Sequence, residues 1–196
     1  MLIESTARCL RTRFVVFALE EAGRSFEIRV RPPGDFEREW NAIGPIVTDG
    51  SLQFLELNVG LCHIARCSQQ LMPSAPRAAL DAVTWLELQA TWLRPAGVRL
   101  REAAQRGERD IDAERTFERC LTRHERALEN QDYLVGDFSI ADCTAPFLLV
   151  CRAMGAGLDG YPSLNSYLDR VEQRPAWQRA AARADDPLAG HENQHP

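Results

Sequence analysis

The run Tyr133-Leu-Val-Gly-Asp-Phe-Ser139-Ile-Ala-Asp142-Cys-Thr-Ala-Pro146-Phe-Leu-Leu149 decides the fold. It reads as a loop that ends in the start of a helix. Ser139 and Asp142 have the Ser-x-x-Asp spacing of a capping box, directly before an apolar run. The Ser139 hydroxyl can accept from a first-turn amide that has no partner within the helix. The Asp142 carboxylate can accept from the Ser139 amide, and its charge suits the positive end of the helix dipole. Phe138 stands where an apolar residue packs forward onto the helix. Ser139 and Asp142 are therefore assigned a structural role as a cap.

Outward from this run, the chain divides by pattern. Helical periodicity fills residues 76–106, 111–130, 140–154, 164–174 and 177–184. Before them, 68–75 is a linker containing Pro73. The first 68 residues mix strands with helices. A short strand is expected over 1–5 and an amphipathic helix over 12–22, ended by Gly23. Phe26, Ile28 and Val30 alternate and predict a strand over 25–30. Residues 36–43 form an irregular helical piece. Asp49-Gly50 is a hairpin signal between strands over 45–47 and 52–55. A helix over 56–67 follows. The order β-α-β-α-β-β-α suits a thioredoxin-like domain over 1–68. With a linker over 69–75, an all-helical domain would fill 76–184, and the polar segment 185–196 reads as a disordered tail.

Composition narrows the function. The net charge of −5 argues against a nucleic-acid surface, which needs an excess of cations. All 23 basic residues are arginine. No apolar stretch reaches the roughly 18 residues of a membrane span. The first residues, Met-Leu-Ile-Glu-Ser-Thr-Ala-Arg, do not read as a secretory signal. Cysteines 9, 62, 67, 120, 143 and 151 are dispersed, so they read as reduced thiols of a cytoplasmic protein rather than a disulfide framework.

The capping run resembles the "FLxGdxfSiADixlaP" segment of the glutathione S-transferase superfamily. Phe17-Ala-Leu-Glu-Glu-Ala-Gly23 followed by Phe26-Glu27 resembles its "aLeeaGxxfe". Tyr161-Pro-Ser-Leu164 and Arg174-Pro-Ala-Trp177 resemble its "yPxL" and "RPaw". The resemblance spans about residues 1–184. It implies an α/β thioredoxin-like N-terminal domain that binds glutathione, an all-α C-terminal domain, and a homodimer with no nucleic-acid or membrane partner.

Cys9 lies between the first strand and the first helix. A thiol there faces the helix N-terminus, whose free amides and dipole favour a thiolate, and Arg8, Arg11 and Arg13 add charge. In the superfamily, the catalytic Ser or Cys of some classes stands at the same distance from the residue matching Gly23. Cys9 is therefore the candidate nucleophile, and Arg11 beside it is a candidate glutathione-binding residue. Cys9-Leu-Arg-Thr12 lacks a second cysteine to resolve its own mixed disulfide, which favours glutathione as the external thiol. Ser5 and Thr6 are fallback hydroxyls whose simpler reading is a strand-end turn.

The resemblance carries further residues. Pro45 matches the cis-proline before the third strand, with Gly44 and Ile46 flanking it and backbone there pairing with the glutathione cysteinyl group. The preceding loop is two residues shorter than the family's "NPxGxvPvLxdg". Glu56-Leu57 matches the "ES" that holds the γ-glutamyl group: the acid is kept and the hydroxyl is lost, with Asn58 a partial substitute. Trp85 and Trp92 are seven apart on one predicted helix, a stripe that reads as core or dimer interface. In the family the same helix lines the second-substrate pocket, which makes Trp92 and Arg94 candidates for it.

Two patterns suggest metal and are set aside, so no metal is expected. His191-Glu-Asn-Gln-His195 fits H-E-x-x-H but sits in the polar tail. Cys62-His63 with Cys67 has no second ligand pair in the sequence and reads as helix packing. The function implied is glutathione-dependent thiol transfer or conjugation to a small hydrophobic or electrophilic substrate. Two alternatives stand beside it. One is a non-catalytic member like stringent starvation protein A, whose "DCxxAPxLw" resembles Asp142-Cys-Thr-Ala-Pro146-Phe-Leu-Leu. The other is a zeta-type isomerase, for which Arg8-Cys9-Leu10 lacks the Ser-Ser-Cys-like motif.

Overall fold

Helix α1, Leu10–Glu21, is apolar on nearly every side: Phe14, Val15, Val16, Phe17, Ala18 and Leu19 are all buried. Such a helix needs cover all round. The computed structural model, which describes residues 1–7, 9–40, 44–68 and 70–185, supplies that cover from both ends of the sequence. Helix α3, Leu57–Ser68, packs on α1. So does the last helix, α9, Pro175–Asp185. Two compact units result: residues 1–72 with 172–185, and residues 73–171. The helix predicted over 177–184 thus groups with the first unit, not with the helical one.

The first unit is built on a sheet of order β2-β1-β3-β4. β1 is Leu2–Ser5, β2 Glu27–Val30, β3 Ile46–Asp49 and β4 Leu52–Phe54. β1 runs parallel to β2 with Leu2 opposite Glu27. It runs antiparallel to β3 with Glu4 opposite Ile46, and β3 pairs with β4 with Val47 opposite Phe54. The expected hairpin forms, with Gly50 at φ +60° in its turn, a conformation that side chains with a Cβ disfavour. α2, Pro33–Trp40, begins earlier than the pattern suggested, and residues 41–43 of the predicted piece lie outside the described residues.

α9 is held to α1 by charge and by aromatic contact. Glu20 and Glu21 stand at the negative end of α1, where acids are unfavourable. Arg174 donates to Glu21 at 2.8 Å and Arg179 to Glu20 at 2.7 Å. Arg183 lies 2.9 Å from Glu20. Trp177 meets Phe17 edge to face at 5.5 Å between ring centroids.

The second unit is helical: α4 Pro76–Leu88, α5 Arg94–Gln105, α6 Ile111–Leu128, α7 Pro146–Ala153 and α8 Pro162–Glu172. The single helix predicted over 76–106 is interrupted by a π turn at Gln89–Leu93, where the Arg94 amide bonds the Gln89 carbonyl five residues back. Pro95 explains the break, because it has no N–H to offer the carbonyl of Thr91. α6 is capped by Asp110, which accepts from Ala113 N at 3.0 Å. α8 borrows its cap: Glu125 of α6 accepts from the amides of Ser163 and Leu164 at 3.0 and 2.8 Å.

The capping box forms at the heart of this unit. Ser139 Oγ accepts from Ala141 N at 3.2 Å. Asp142 accepts from Ser139 N at 2.8 Å and from Leu134 N at 3.1 Å, tying down the preceding loop. The first turn is a 3-10 turn, Asp142–Thr144, before α7 begins at Pro146. Asp142 is wholly buried beside the Tyr167 phenol. Burial pushes its carboxyl up from 3.8 to about 6, despite the hydrogen bonds from Leu134 and Ser139. His124, buried on α6 against Trp85, bonds the Cys120 carbonyl at 2.7 Å, and burial lowers it from 6.5 to about 4.

Two predictions follow from these buried groups. Ser139→Ala or Asp142→Ala lowers folding stability by about 1 kcal/mol or more through the lost cap. Activity per folded molecule stays near wild type, as chemical denaturation and specific-activity assays would register. A loss of activity at unchanged stability would oppose the structural role.

The pH dependence has two opposed parts. The folded Asp142 binds its proton before the unfolded chain does, so it raises stability as pH falls from about 6 to about 4. His124 binds its proton later than the unfolded chain, so it lowers stability over roughly the same window. Each contributes a slope of at most about 1.4 kcal/mol per pH unit. Asp142→Asn therefore makes stability fall more steeply between pH 6.5 and 4.5 than in wild type, and His124→Gln makes it fall less. Urea unfolding at a series of pH values measures both.

Candidate functional site

The sheet register brings three elements to one end of the first unit. β1 runs toward that end, since Glu4 stands opposite Ile46, and delivers the segment that leads to Cys9. β3 leaves from it, just after Pro45. β4 runs toward it as well, since Val47 stands opposite Phe54, and delivers Glu56 and Leu57 at the start of α3. Cys9, Gly44, Pro45, Ile46, Glu56 and Leu57 therefore gather at one sheet end through pairing alone.

Cys9 is the N-cap residue of α1, with φ −71° and ψ 116°, and its carbonyl accepts from Thr12 N at 3.1 Å. It is half-buried. Burial by itself would raise its thiol. The hydroxyl and amide of Thr12, with the charge and amide of Arg11, outweigh that, and the thiol is held below its ordinary value. Burial instead pushes up Cys120, and Cys151 to about 12. All six cysteines are free.

Thr12, noted in the sequence only as the position where a dithiol enzyme has its second cysteine, is the residue missed. Its hydroxyl shares a short hydrogen bond with Ser5, which also donates to the Thr6 carbonyl at 3.0 Å. Ser5 and Thr12 are buried. Each hydroxyl has one proton. When Thr12 donates to an ionised Cys9, Ser5 can turn from Thr6 and donate to Thr12. Ser5, read in the sequence as a fallback hydroxyl, is thus hydrogen-bonded to Thr12 and can reach the thiol only through it. The signal was available: a hydroxyl three residues after an N-terminal cysteine falls in the first turn of the helix.

The Gly44–Pro45 peptide is cis, and Gly44 to Val47 are buried. Gly44 has φ +65°, which disfavours any residue with a Cβ, and a Cβ there would also stand 3.1 Å from the Phe36 ring, which would have to shift by a few tenths of an ångström. The Glu56 carbonyl accepts from Gly60 N at 3.0 Å and starts α3. The Glu56 side chain is exposed and Leu57 is half-buried. Arg8 lies outside the described residues.

Trp92 and Arg94 belong to the second unit. Sequence spacing put Trp85 and Trp92 on one helical stripe. The π turn between them breaks that phase: Trp85 is 8% exposed and Trp92 59%. Arg94 is half-buried at the start of α5. No helix among the described residues is long and apolar enough to cross a membrane.

Comparison with known proteins agrees with this architecture. Residues 84–175 match the family model of the glutathione S-transferase C-terminal domain. The chain thus carries that family's C-terminal domain over these residues and has the glutathione S-transferase fold. Among solved structures, it is similar to BphK, a bacterial glutathione S-transferase solved as a ternary complex, at 21% identity and TM-score 0.82. That match covers 95% of this chain and 100% of the other. Glutathione S-transferase 1-6 from Anopheles dirus species B matches at 13% identity and TM-score 0.83, over 96% and 98%. Ure2p in complex with glutathione matches at 18% and 0.80, over 92% of each chain. No curated protein sequence matches the chain significantly.

The Thr12 hydroxyl gives a direct test of this geometry. Thr12→Val raises the Cys9 pKa, and Ser5→Ala raises it by less, since Ser5 acts only through Thr12. The rate of iodoacetamide labelling at Cys9 against pH reads both shifts.

Proposed function

We propose that this protein is a glutathione-dependent thiol transferase in which Cys9 is the attacking thiolate. The observation that carries the reading is the position of Cys9. It caps α1 at the sheet end shared with Pro45 and the start of α3, and its thiol is held low by Thr12 and Arg11. A thiolate at a helix N-terminus is nucleophilic at neutral pH.

In the first step Cys9 Sγ attacks the glutathione sulfur of a mixed disulfide. A Cys9–glutathione disulfide forms, and the substrate thiolate leaves and takes a proton from water. A second glutathione thiolate then attacks the glutathione sulfur of that disulfide. Oxidised glutathione leaves and Cys9 is regenerated as the thiolate. The substrate is reduced and glutathione is oxidised. An electrophilic carbon in place of the disulfide gives conjugation, with glutathione supplying the thiolate and Cys9 helping to lower its pKa.

The backbone of Gly44, Pro45 and Ile46 would pair with the cysteinyl group of glutathione. The free amides at the start of α3, with Glu56, would hold its γ-glutamyl end. Leu57 offers no hydroxyl there, a loss of about 1.5–3 kcal/mol relative to a serine. Trp92 and Arg94 are assigned to the second-substrate pocket. The protein is assigned to the cytoplasm as a homodimer without nucleic-acid partners. Leu57 is also the observation that favours a second reading, a non-catalytic binding module with a weakened glutathione site.

Iodoacetamide labelling gives Cys9 a pKa clearly below the free value of about 8.5, and Cys9 labels fastest of the six thiols. The protein reduces a small glutathione mixed disulfide, and Cys9→Ala abolishes the reaction. Leu57→Ser tightens glutathione binding about tenfold or more in calorimetry. Slow labelling of Cys9 with no binding heat at millimolar glutathione would favour the binding module.

A further inference from the structure

The opposite end of β3 carries a different group of residues. Asp49 is its last residue, beside the hairpin turn and away from Pro45. His63 and Cys67 stand four residues apart on α3, hence on one face. His63 Nε2 is 2.9 Å from Asp49 Oδ2. Cys67 Sγ is 3.7 Å from the same Nε2. One donor atom from each of the three side chains lies within 4.8 Å of the others. The His63 ring is fixed by stacking on Phe54, at 4.5 Å between centroids and 32° between planes.

We propose that Asp49, His63 and Cys67 form a binding site for one divalent metal ion of the zinc class, with a fourth position open to water. The sequence offered only the pair on α3; the strand supplies the third ligand. Zinc bonds of about 2.0 Å to O and N and about 2.3 Å to S imply tetrahedral edges of about 3.3–3.6 Å. The observed separations of 2.9 and 3.7 Å bracket these, and the third edge, Asp49 to Cys67, is within 4.8 Å, so the three atoms can close on one ion by side-chain rotation. The mixed carboxylate, imidazole and thiolate set excludes calcium and magnesium, which take oxygen ligands. The thiol gives its proton to water as Sγ takes the metal, and the two anionic ligands balance the ion's charge.

A Cys-His-Asp catalytic relay is the competing reading of the same residues. A relay needs the acid and the thiol on opposite ring nitrogens. Here Asp49 faces Nε2 and Cys67 is nearer to Nε2 than to Nδ1, which lies at 4.0 Å. Convergence on one nitrogen suits a shared ion. Arg24, 3.9 Å from Asp49 Oδ2, is the resident cation that the metal must displace or share with. Cys67 is exposed, so an ion has a route in.

The test is a cobalt(II) titration of the full-length, reduced protein. The expected result is one cobalt bound per chain, with a thiolate-to-cobalt charge-transfer band and tetrahedral d–d bands, both displaced by zinc. Cys67→Ser removes the charge-transfer band. His63→Ala and Asp49→Asn each weaken binding tenfold or more, with Asp49→Asn keeping the band. Replacing His191 and His195 by alanine, or Cys9 by alanine, leaves the titration unchanged. Thermal unfolding of Cys67→Ser without metal checks that it folds. The proposal is overturned if the band survives Cys67→Ser, if binding follows the tail histidines, or if no stoichiometric cobalt binds at micromolar concentration.

Discussion

The constraint on which the first unit depends is the burial of α1 all round. A helix with a single apolar stripe would need one neighbour. α1 carries apolar side chains from Phe14 to Leu19 without a polar face, and it is covered by α3 and by α9. Only its two ends remain for polar work, and each is used differently. The C-terminal end carries Glu20 and Glu21 against the helix dipole, and three arginines of α9 and the residue before it neutralise them. The N-terminal end has amides to spare, and Cys9 sits there.

The helical unit rests on buried polar groups rather than on an apolar core alone. Asp142 collects the amides of Leu134 and Ser139, so one carboxylate fixes a loop and a helix start at once. Glu125 does comparable work between α6 and α8. Gly97 shows how tightly the apolar remainder is filled, since a Cβ there would fall 2.6 Å from Phe147 Cζ. The Asp142 and Glu125 contacts supply partners for backbone amides that the helix starts leave without one.

Much of this was legible in the sequence because it is local. The capping box is four residues long, the hairpin is announced by Asp49-Gly50, and Cys9 was placed between the first strand and the first helix, although that helix starts at Leu10 rather than at residue 12. The sheet-end cluster was legible through resemblance and follows independently from strand register. Three features were not legible, each for a physical reason. The Trp85–Trp92 stripe assumed a constant 3.6-residue period, and the π turn forced by Pro95 breaks it. Asp49 joins His63 and Cys67 only through tertiary packing of a strand on a helix, which no spacing rule records. The grouping of α9 was hidden because two resemblance motifs, Phe17–Gly23 and Arg174–Trp177, look independent in sequence. In the structure they are the two halves of one contact, Glu21 with Arg174 and Phe17 with Trp177.

That contact makes the first unit discontinuous: its core is closed by residues more than a hundred positions downstream of α3. During synthesis the sheet, α1 and α3 leave the ribosome first, with one side of α1 still uncovered. The helical unit between them emerges next and can complete its own core before the first unit does. The nascent chain therefore carries an exposed strip of Phe and Val side chains until its last helix arrives. A chain that stops short of α9 would keep that strip for good, which makes truncated products the natural targets of chaperones and proteases.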